Sequence, residues 1–189
     1  GIIIERVTKQ SYNDFLHQEI IDKIGMVHSS ARDDLSQIDS IALGYTRSND
    51  RIELAEVEHR SWAFSVGNII STVSDLNLWY SHLFNGDIIS DASLKKALKG
   101  FVLNNGDTIP YGYGWYVEQF QGEQMIYHGG SINGFYSYVG FIPDSKKLIV
   151  NLANCECVPF KYIGQKITGY VIDQPLVEKE IVKLELETL

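Results

Sequence analysis

The sequence predicts an α+β fold in which helices lead and an antiparallel sheet follows, covered by a C-terminal helix. Three observations carry this. Helix-period apolar patterns and caps dominate the first hundred residues. Alternating, aromatic-rich runs between residues 113 and 153 are separated by short turn sequences. One further helical stripe follows Pro159.

The helices come first. The run Gly1-Ile2-Ile3-Ile4-Glu5-Arg6-Val7 opens without a cap and reads as the middle of a helix cut at the chain start. Ser11 with Asp14 makes a capping pattern, and Tyr12, Phe15, Leu16, Ile20 and Ile24 share one helical face. Gly25 supplies a left-handed stop. Residues 29–61 are polar and irregular, with Ala42 to Thr46 as a short extended piece; a connection that long is often functional. Thr72 and Asp75 repeat the capping pattern before the stripe Leu76, Trp79, Tyr80 and Leu83, which ends at Asn85-Gly86. A short helix spans Ser93 to Lys99 and stops at Gly100.

The strands follow. Tyr113 to Phe120, Gln124 to Tyr127, Phe135 to Ile142 and Leu148 to Ala153 carry strand patterns. Turn signals stand at Gln121-Gly122-Glu123 and Pro143 to Lys147. Loops this short favour an antiparallel meander. Phe160, Ile163, Ile167, Tyr170 and Val171 form the stripe of the last helix, expected to cover one sheet face. From Asp173 onward the composition turns to Glu, Lys and Val, with Pro175 as a breaker. The expected division is therefore one domain portion over 1–172 and a linker, or the start of a further domain, over 173–189.

Composition bounds the function. With 189 residues, 44% hydrophobic and 21% charged, the chain is long enough to bury roughly 70% of the surface its unfolded form exposes. Net charge is −8 and pI about 5.1, and no basic stripe exists to displace counterions from a phosphate backbone, so nucleic acid is excluded as a partner. Cys155 and Cys157 sit one residue apart. On a strand they would share a face at a separation too large for easy bridging, so two unpaired thiols are expected. No second Cys/His pair completes a zinc set, no phosphate loop appears and no cofactor is implied. His17, His28, His59 and His82 lack paired carboxylate spacing and are read as structural or solvated.

The most informative stretch is His128-Gly129-Gly130-Ser131, running at once into Gly134 to Asp144. A basic side chain at the mouth of a strand can face a reacting group, and small neighbours let a substrate approach the backbone. Two other patterns compete for attention. Ser93-Leu94-Lys95-Lys96 fits Ser-x-x-Lys, but its polar setting is wrong for a nucleophile helix, which must be buried to depress its lysine. A Ser131–His128 dyad lacks both a nucleophile elbow and an orienting acid. Tyr111-Gly112-Tyr113-Gly114-Trp115 reads as a packing element of a strand.

In order, Ser61 to Thr72, Asp75-Leu76, Asn85-Gly86, Tyr111 to Trp115, His128-Gly129-Gly130 and Gly134-Phe135 resemble the serine β-lactamase and penicillin-binding superfamily. The nearest branch is that of class C β-lactamases, D-Ala-D-Ala carboxypeptidases and esterases. The resemblance reaches to about Ile172 and implies the C-terminal portion of a β-lactamase/transpeptidase-like domain. It implies a bacterial, extracytoplasmic serine hydrolase working through an acyl-enzyme on D-Ala-type peptides, β-lactams, or small esters and amides. Such a mechanism uses Ser-x-x-Lys, Tyr-x-Asn and a Lys/His-x-Gly triplet. His128-Gly129-Gly130 matches the third; the first two are expected upstream, leaving this chain alone inactive. His128 and the Ser131 N–H are then the catalytic candidates, the latter as an oxyanion donor. Gly129, Gly130 and Trp62 are the substrate-binding candidates. The partners implied are a small-molecule or peptide substrate, the upstream half of the same domain, and a second copy through an exposed sheet edge. The alternative is a non-catalytic relative that binds such ligands or serves as a scaffold.

Overall fold

The computed structural model describes residues 1–36, 38, 40–56, 59–157 and 160–173, with the side chains of residues 160 and 161 excepted. The expected linker lies, from residue 174 on, outside the described residues. Mixed helices and antiparallel sheets form two compact units. Among the described residues, one unit takes those within 1–88, 132–135 and 154–156; the other takes those within 89–131, 136–153 and 157–173.

The first unit contains α1 (Ile2–Thr8), α2 (Tyr12–Leu16) with a wider turn over His17–Ile21, the hairpin β1 (Tyr45–Ser48) and β2 (Arg51–Leu54), α3 (Phe64–Gly67) and α4 (Val73–Phe84). Ser11 and Thr72 cap α2 and α4 by accepting from the Asp14 and Asp75 amides, as their spacing predicts. The wide turn departs from expectation. Its bonds reach five residues back, from the Asp22 N–H to the His17 carbonyl and from the Met26 N–H to the Ile21 carbonyl. The extra residue per turn rotates the face, so His17 and Ile21 are buried while Ile20 and Ile24 pack at the margin. The hairpin β1–β2 was hidden in a segment expected to be irregular. Its turn, Asn49-Asp50, takes positive φ at both residues, the geometry a two-residue hairpin demands.

Asp75 is the polar centre of this unit. It is 2% exposed and accepts from the His28 N–H at 2.8 Å and the Ser29 hydroxyl at 2.7 Å. His17, also buried, accepts from the Ala31 N–H at Nε2 and faces Asp22 with Nδ1, a structural role.

The second unit holds α5 (Asp91–Ala97), the short hairpin β3 (Phe101–Val102) and β4 (Thr108–Ile109), the sheet strands β5 (Tyr116–Phe120), β6 (Glu123–Ile132), β7 (Phe135–Ile142) and β8 (Lys147–Ala153), and α6 (Phe160–Val171). The sheet order is β5-β6-β7-β8, the expected meander. Met125, Tyr138, Ile142 and Ile149 form its core. The helix α6 turns only part of its expected stripe inward: Val171 packs on the sheet core, but Ile167 and Tyr170 are exposed, while Thr168 is fully buried and Gly164 is covered. Close approach decides this. A Cβ at Gly164 would stand 2.8 Å from the Tyr138 ring, so a residue without a side chain is needed where the helix meets that ring.

The cysteines correct another expectation. Neither Cys155 nor Cys157 is a free thiol; both are disulfide-bonded. They lie beyond the end of β8, in a bridge and turn, so the extended spacing that would have kept them apart does not apply.

Gly164→Ala tests the helix seat. Helix propensity favours Ala by about 1 kcal/mol, but overpacking against Tyr138 costs about 1–3 kcal/mol, so urea unfolding should show net destabilisation. A gain in stability would contradict the packing. Tyr138 also sets an alkaline limit. Burial pushes its phenol up from 10.0 to about 12; a Thr168 hydrogen bond pulls it down and Glu118 pushes it up. The folded state thus holds this proton more tightly than the unfolded chain. The resulting stability is complete below about pH 10 and is lost as pH rises toward about 12. Denaturation curves across that window should show the fall, and Tyr138→Phe should make it shallower, leaving the part due to other buried phenols such as Tyr127.

Candidate active site

The candidate site is built on β6 where that strand outruns its neighbour. The β5–β6 register runs from Phe120 opposite Glu123 to Tyr116 opposite Tyr127 and ends there. His128, Gly129, Gly130 and Ser131 continue the strand with no β5 residue beside them, and all four are exposed. Which backbone groups face the open edge follows from Val117. Its N–H donates to the Pro110 carbonyl, away from β6. Tyr116 and Glu118 therefore point their backbone groups at β6, toward Tyr127 and Met125. Alternation then directs the N–H and C=O of Gly129 and Ser131 to the same edge, where nothing in the sheet pairs them.

The glycines differ in what requires them. A Cβ at Gly130 would stand 2.6 Å from the Ser137 hydroxyl, so a larger residue there requires that side chain to turn away. A Cβ at Gly129 would meet only the Ser137 carbonyl at an ordinary 3.5 Å, which leaves that position open. His128 and Ser131 are three apart on a strand and project from opposite faces, so their side chains do not form a dyad.

His128 is held by aromatic rings. Its Nε2 lies 3.1 Å from the Tyr111 hydroxyl, and its ring stacks on Tyr116 at 5.7 Å between centroids. Tyr116 stacks in turn on Tyr127 at 5.2 Å, and Tyr127 on Tyr138 at 6.0 Å. Rings thus run from the buried core to the exposed imidazole. The Tyr127 hydroxyl donates to Glu118 at 2.8 Å. Burial first, then that carboxylate, push its phenol well above the ordinary tyrosine range, so Tyr127 stays a neutral donor. Chemically, the edge offers one imidazole oriented by a phenol and two outward backbone amides, a pattern suited to an extended amide and to a developing oxyanion.

Of the candidate residues, the structure brings His128, Gly129, Gly130 and Ser131 together in the second unit. Trp62 belongs to the first unit, on a turn over Arg60–Trp62, and is 82% exposed. That turn is clamped by the Arg60 guanidinium, which donates to the Ser30, Arg32 and Asn68 carbonyls. Ser93 and Lys96 are both exposed on α5, and Ser93 donates its amide to the Ser90 cap, so this Ser-x-x-Lys is a surface pattern. Sequence reasoning missed Tyr111, read as packing alone. No spacing rule could find it, because its partner lies seventeen residues on. Among the described residues, no cluster of three or more His, Cys, Asp or Glu could hold a metal, and no helix is long and apolar enough to cross a membrane.

Tyr111→Phe keeps the ring contacts and deletes the hydroxyl. His128 ring resonances should shift, while unfolding free energy changes by less than about 1 kcal/mol. Unmoved ring resonances would contradict the contact.

The comparisons agree with this architecture. The Beta-lactamase family profile matches residues 1–160. Penicillin-binding protein 4* of Bacillus subtilis is 29% identical over 169 residues, covering 82% of this chain and 38% of that protein. Protein flp of Staphylococcus aureus is 24% identical, covering 82% of this chain and 31% of its own length. The octameric penicillin-binding protein homologue from Pyrococcus abyssi superposes with a TM-score of 0.78 at 24% identity, over 93% of this chain and 41% of that one. The D-amino acid amidase from Ochrobactrum anthropi does so with a TM-score of 0.70 at 20% identity, over all of this chain and 54% of that one. The chain thus spans less than half the length of the curated relatives it matches. With most of its length matched and a penicillin-binding fold around the His128 strand, the chain belongs to the Beta-lactamase family.

Proposed function

We propose that this chain supplies the oxyanion-binding strand of a serine hydrolase that works through an acyl-enzyme. Its substrates are D-amino-acid peptides, β-lactams, or small esters and amides, met outside the cytoplasm. The observation that carries this is the open β6 edge: the outward amides of Gly129 and Ser131 beside an imidazole oriented by Tyr111. Family membership and the likeness to penicillin-binding protein 4* support the same reading.

Each residue has a part in it. Attack on a carbonyl builds negative charge on its oxygen, and the Ser131 N–H stabilises that charge as one of two donors. The substrate amide pairs with the Gly129 backbone as an added strand, which orients the scissile bond. His128 holds a proton or positive potential at the reacting group, with the Tyr111 hydroxyl fixing its ring. The nucleophile and its base come from the family's Ser-x-x-Lys, and proton transfer is assisted by its Tyr-x-Asn. This sequence has no Tyr-x-Asn, and its one Ser-x-x-Lys is the exposed pattern on α5.

The test separates backbone from side chain. In a protein joining this chain to the family's Ser-x-x-Lys and Tyr-x-Asn, Ser131→Ala keeps the N–H and should hydrolyse nearly as the parent does. Ser131→Pro deletes that edge donor and should lose about 100- to 1000-fold in kcat. His128→Ala should lose about 100-fold. The 189-residue chain alone should not turn over a chromogenic cephalosporin or a p-nitrophenyl ester. Equal activity of the Ala and Pro variants would remove Ser131 from the reaction. A joined protein that binds substrate without turnover would favour the non-catalytic alternative.

A further inference from the structure

Within the unit that carries His128, a cavity of about 490 Å³ opens against the same tyrosine that holds the imidazole. Its lining includes Lys96, Lys99, Phe101, Tyr111 and Tyr113. That volume falls in the range of small-molecule pockets, so a substrate side chain and its end group fit with room to spare. Its walls are fixed by close backbone packing. The Tyr113 N–H donates to the Ala97 carbonyl at 2.7 Å, and a Cβ at Gly112 would overlap that carbonyl at 2.0 Å. A Cβ at Gly100 would stand 2.7 Å from the Ile109 carbonyl. The segment after Pro110 is therefore clamped onto the C-terminal end of α5, and the cavity between them is preformed.

Its charge stands against that of the chain. The protein is acidic overall at −8, yet both cavity lysines are exposed, and neither meets a carboxylate among the described residues. Lys96 complements the C-terminal dipole of α5, which accounts for one cation. Lys99 lies past the helix end and has no such reason. Phe101 and Tyr113, 64% and 71% exposed, set apolar ring surface beside the two charges. The ammonium groups can pair with a carboxylate, and the rings beside them offer apolar contact to the organic body that carries it.

We propose that this cavity is a subsite for a carboxylate on the substrate, held by Lys96 and Lys99. The proposal rests on the reading above that a peptide pairs along the β6 edge. Such a peptide takes the place that β5 vacates beyond Tyr116. Tyr111 contacts His128 and also lines the cavity, and the proposed path runs along it: a side chain leaving that peptide past His128 is directed toward the lysines. The substrate class narrows to D-amino-acid peptides bearing an acidic side chain.

The experiment is a paired titration of the protein, followed by amide chemical shifts. The two probes are N-acetyl-D-alanyl-D-glutamic acid amide, with its side-chain carboxylate free, and its neutral D-glutamine counterpart. The acid should bind about fivefold more tightly at low ionic strength, the yield of two exposed ion pairs. Shifts should concentrate at Lys96, Lys99, Tyr111 and Tyr113. Raising salt from roughly 0.01 M to roughly 1 M cuts the screening length from about 30 Å to about 3 Å and should erase the preference in the unmodified protein. The double substitution K96Q/K99Q should erase it at low salt. Equal binding of the two probes, binding of neither, or a preference that survives K96Q/K99Q overturns the subsite. This readout needs no nucleophile, so loss of hydrolysis in the joined protein leaves it standing. Intact hydrolysis without acid preference removes the subsite alone.

Discussion

Strand β6 is twice the length of β5, and the site depends on that mismatch. Pairing stops at Tyr116 opposite Tyr127, so the next four residues keep the extended conformation while losing a partner on one side. A backbone in that state has amides with fixed directions and no internal use for them. Elsewhere in a protein such an edge invites aggregation. Here its outward groups are confined to Gly129 and Ser131, and an imidazole stands at its start. A longer β5 would cover the donors; a shorter β6 would not present them.

The core below keeps this edge in place. Tyr138 is central because three structures converge on it: the sheet, the helix α6 at Gly164, and the rings leading out through Tyr127 and Tyr116 to His128. The phenols in that series are buried to decreasing degrees toward the surface. Tyr127 and Tyr138 are held protonated by burial, which keeps charge out of the stack. The imidazole is thus oriented from one side by a rigid hydrophobic column and from another by a single hydroxyl. Site and packing are not separable here, since the rings that complete the core also set the position of the polar group.

Much of the architecture was legible in the residues. The caps at Ser11 and Thr72, the meander from 116 to 153 and the helix from residue 160 follow from local chemistry that one strand or helix carries within itself. The misses share a cause. The wide turn at His17–Ile21 shifts a helical face by one residue, and an apolar pattern of period 3.6 cannot register that shift. The inner face of α6 is chosen by the ring of Tyr138, more than twenty residues away in sequence, so Gly164 and Thr168 displace the more apolar Ile167 and Tyr170. The hairpin at 45–54 was announced only by Asn49-Asp50, a weaker signal than Asn-Gly. The cysteines were judged by strand geometry that ends at Ala153.

Taken alone, the amino-acid order determined the family, the class of fold and the triplet His128-Gly129-Gly130, because these rest on residue types at short, fixed spacings. Tertiary structure decided which amides of that strand face outward, that Tyr111 holds the imidazole, and that Lys96 and Lys99 line a cavity with Tyr111. Each of these is a relation between segments brought together by folding. Hydrogen-bond direction alternates with a neighbour's register, and the Tyr111 hydroxyl finds the His128 ring only once its segment has been packed against strand β6. No local pattern encodes such distances.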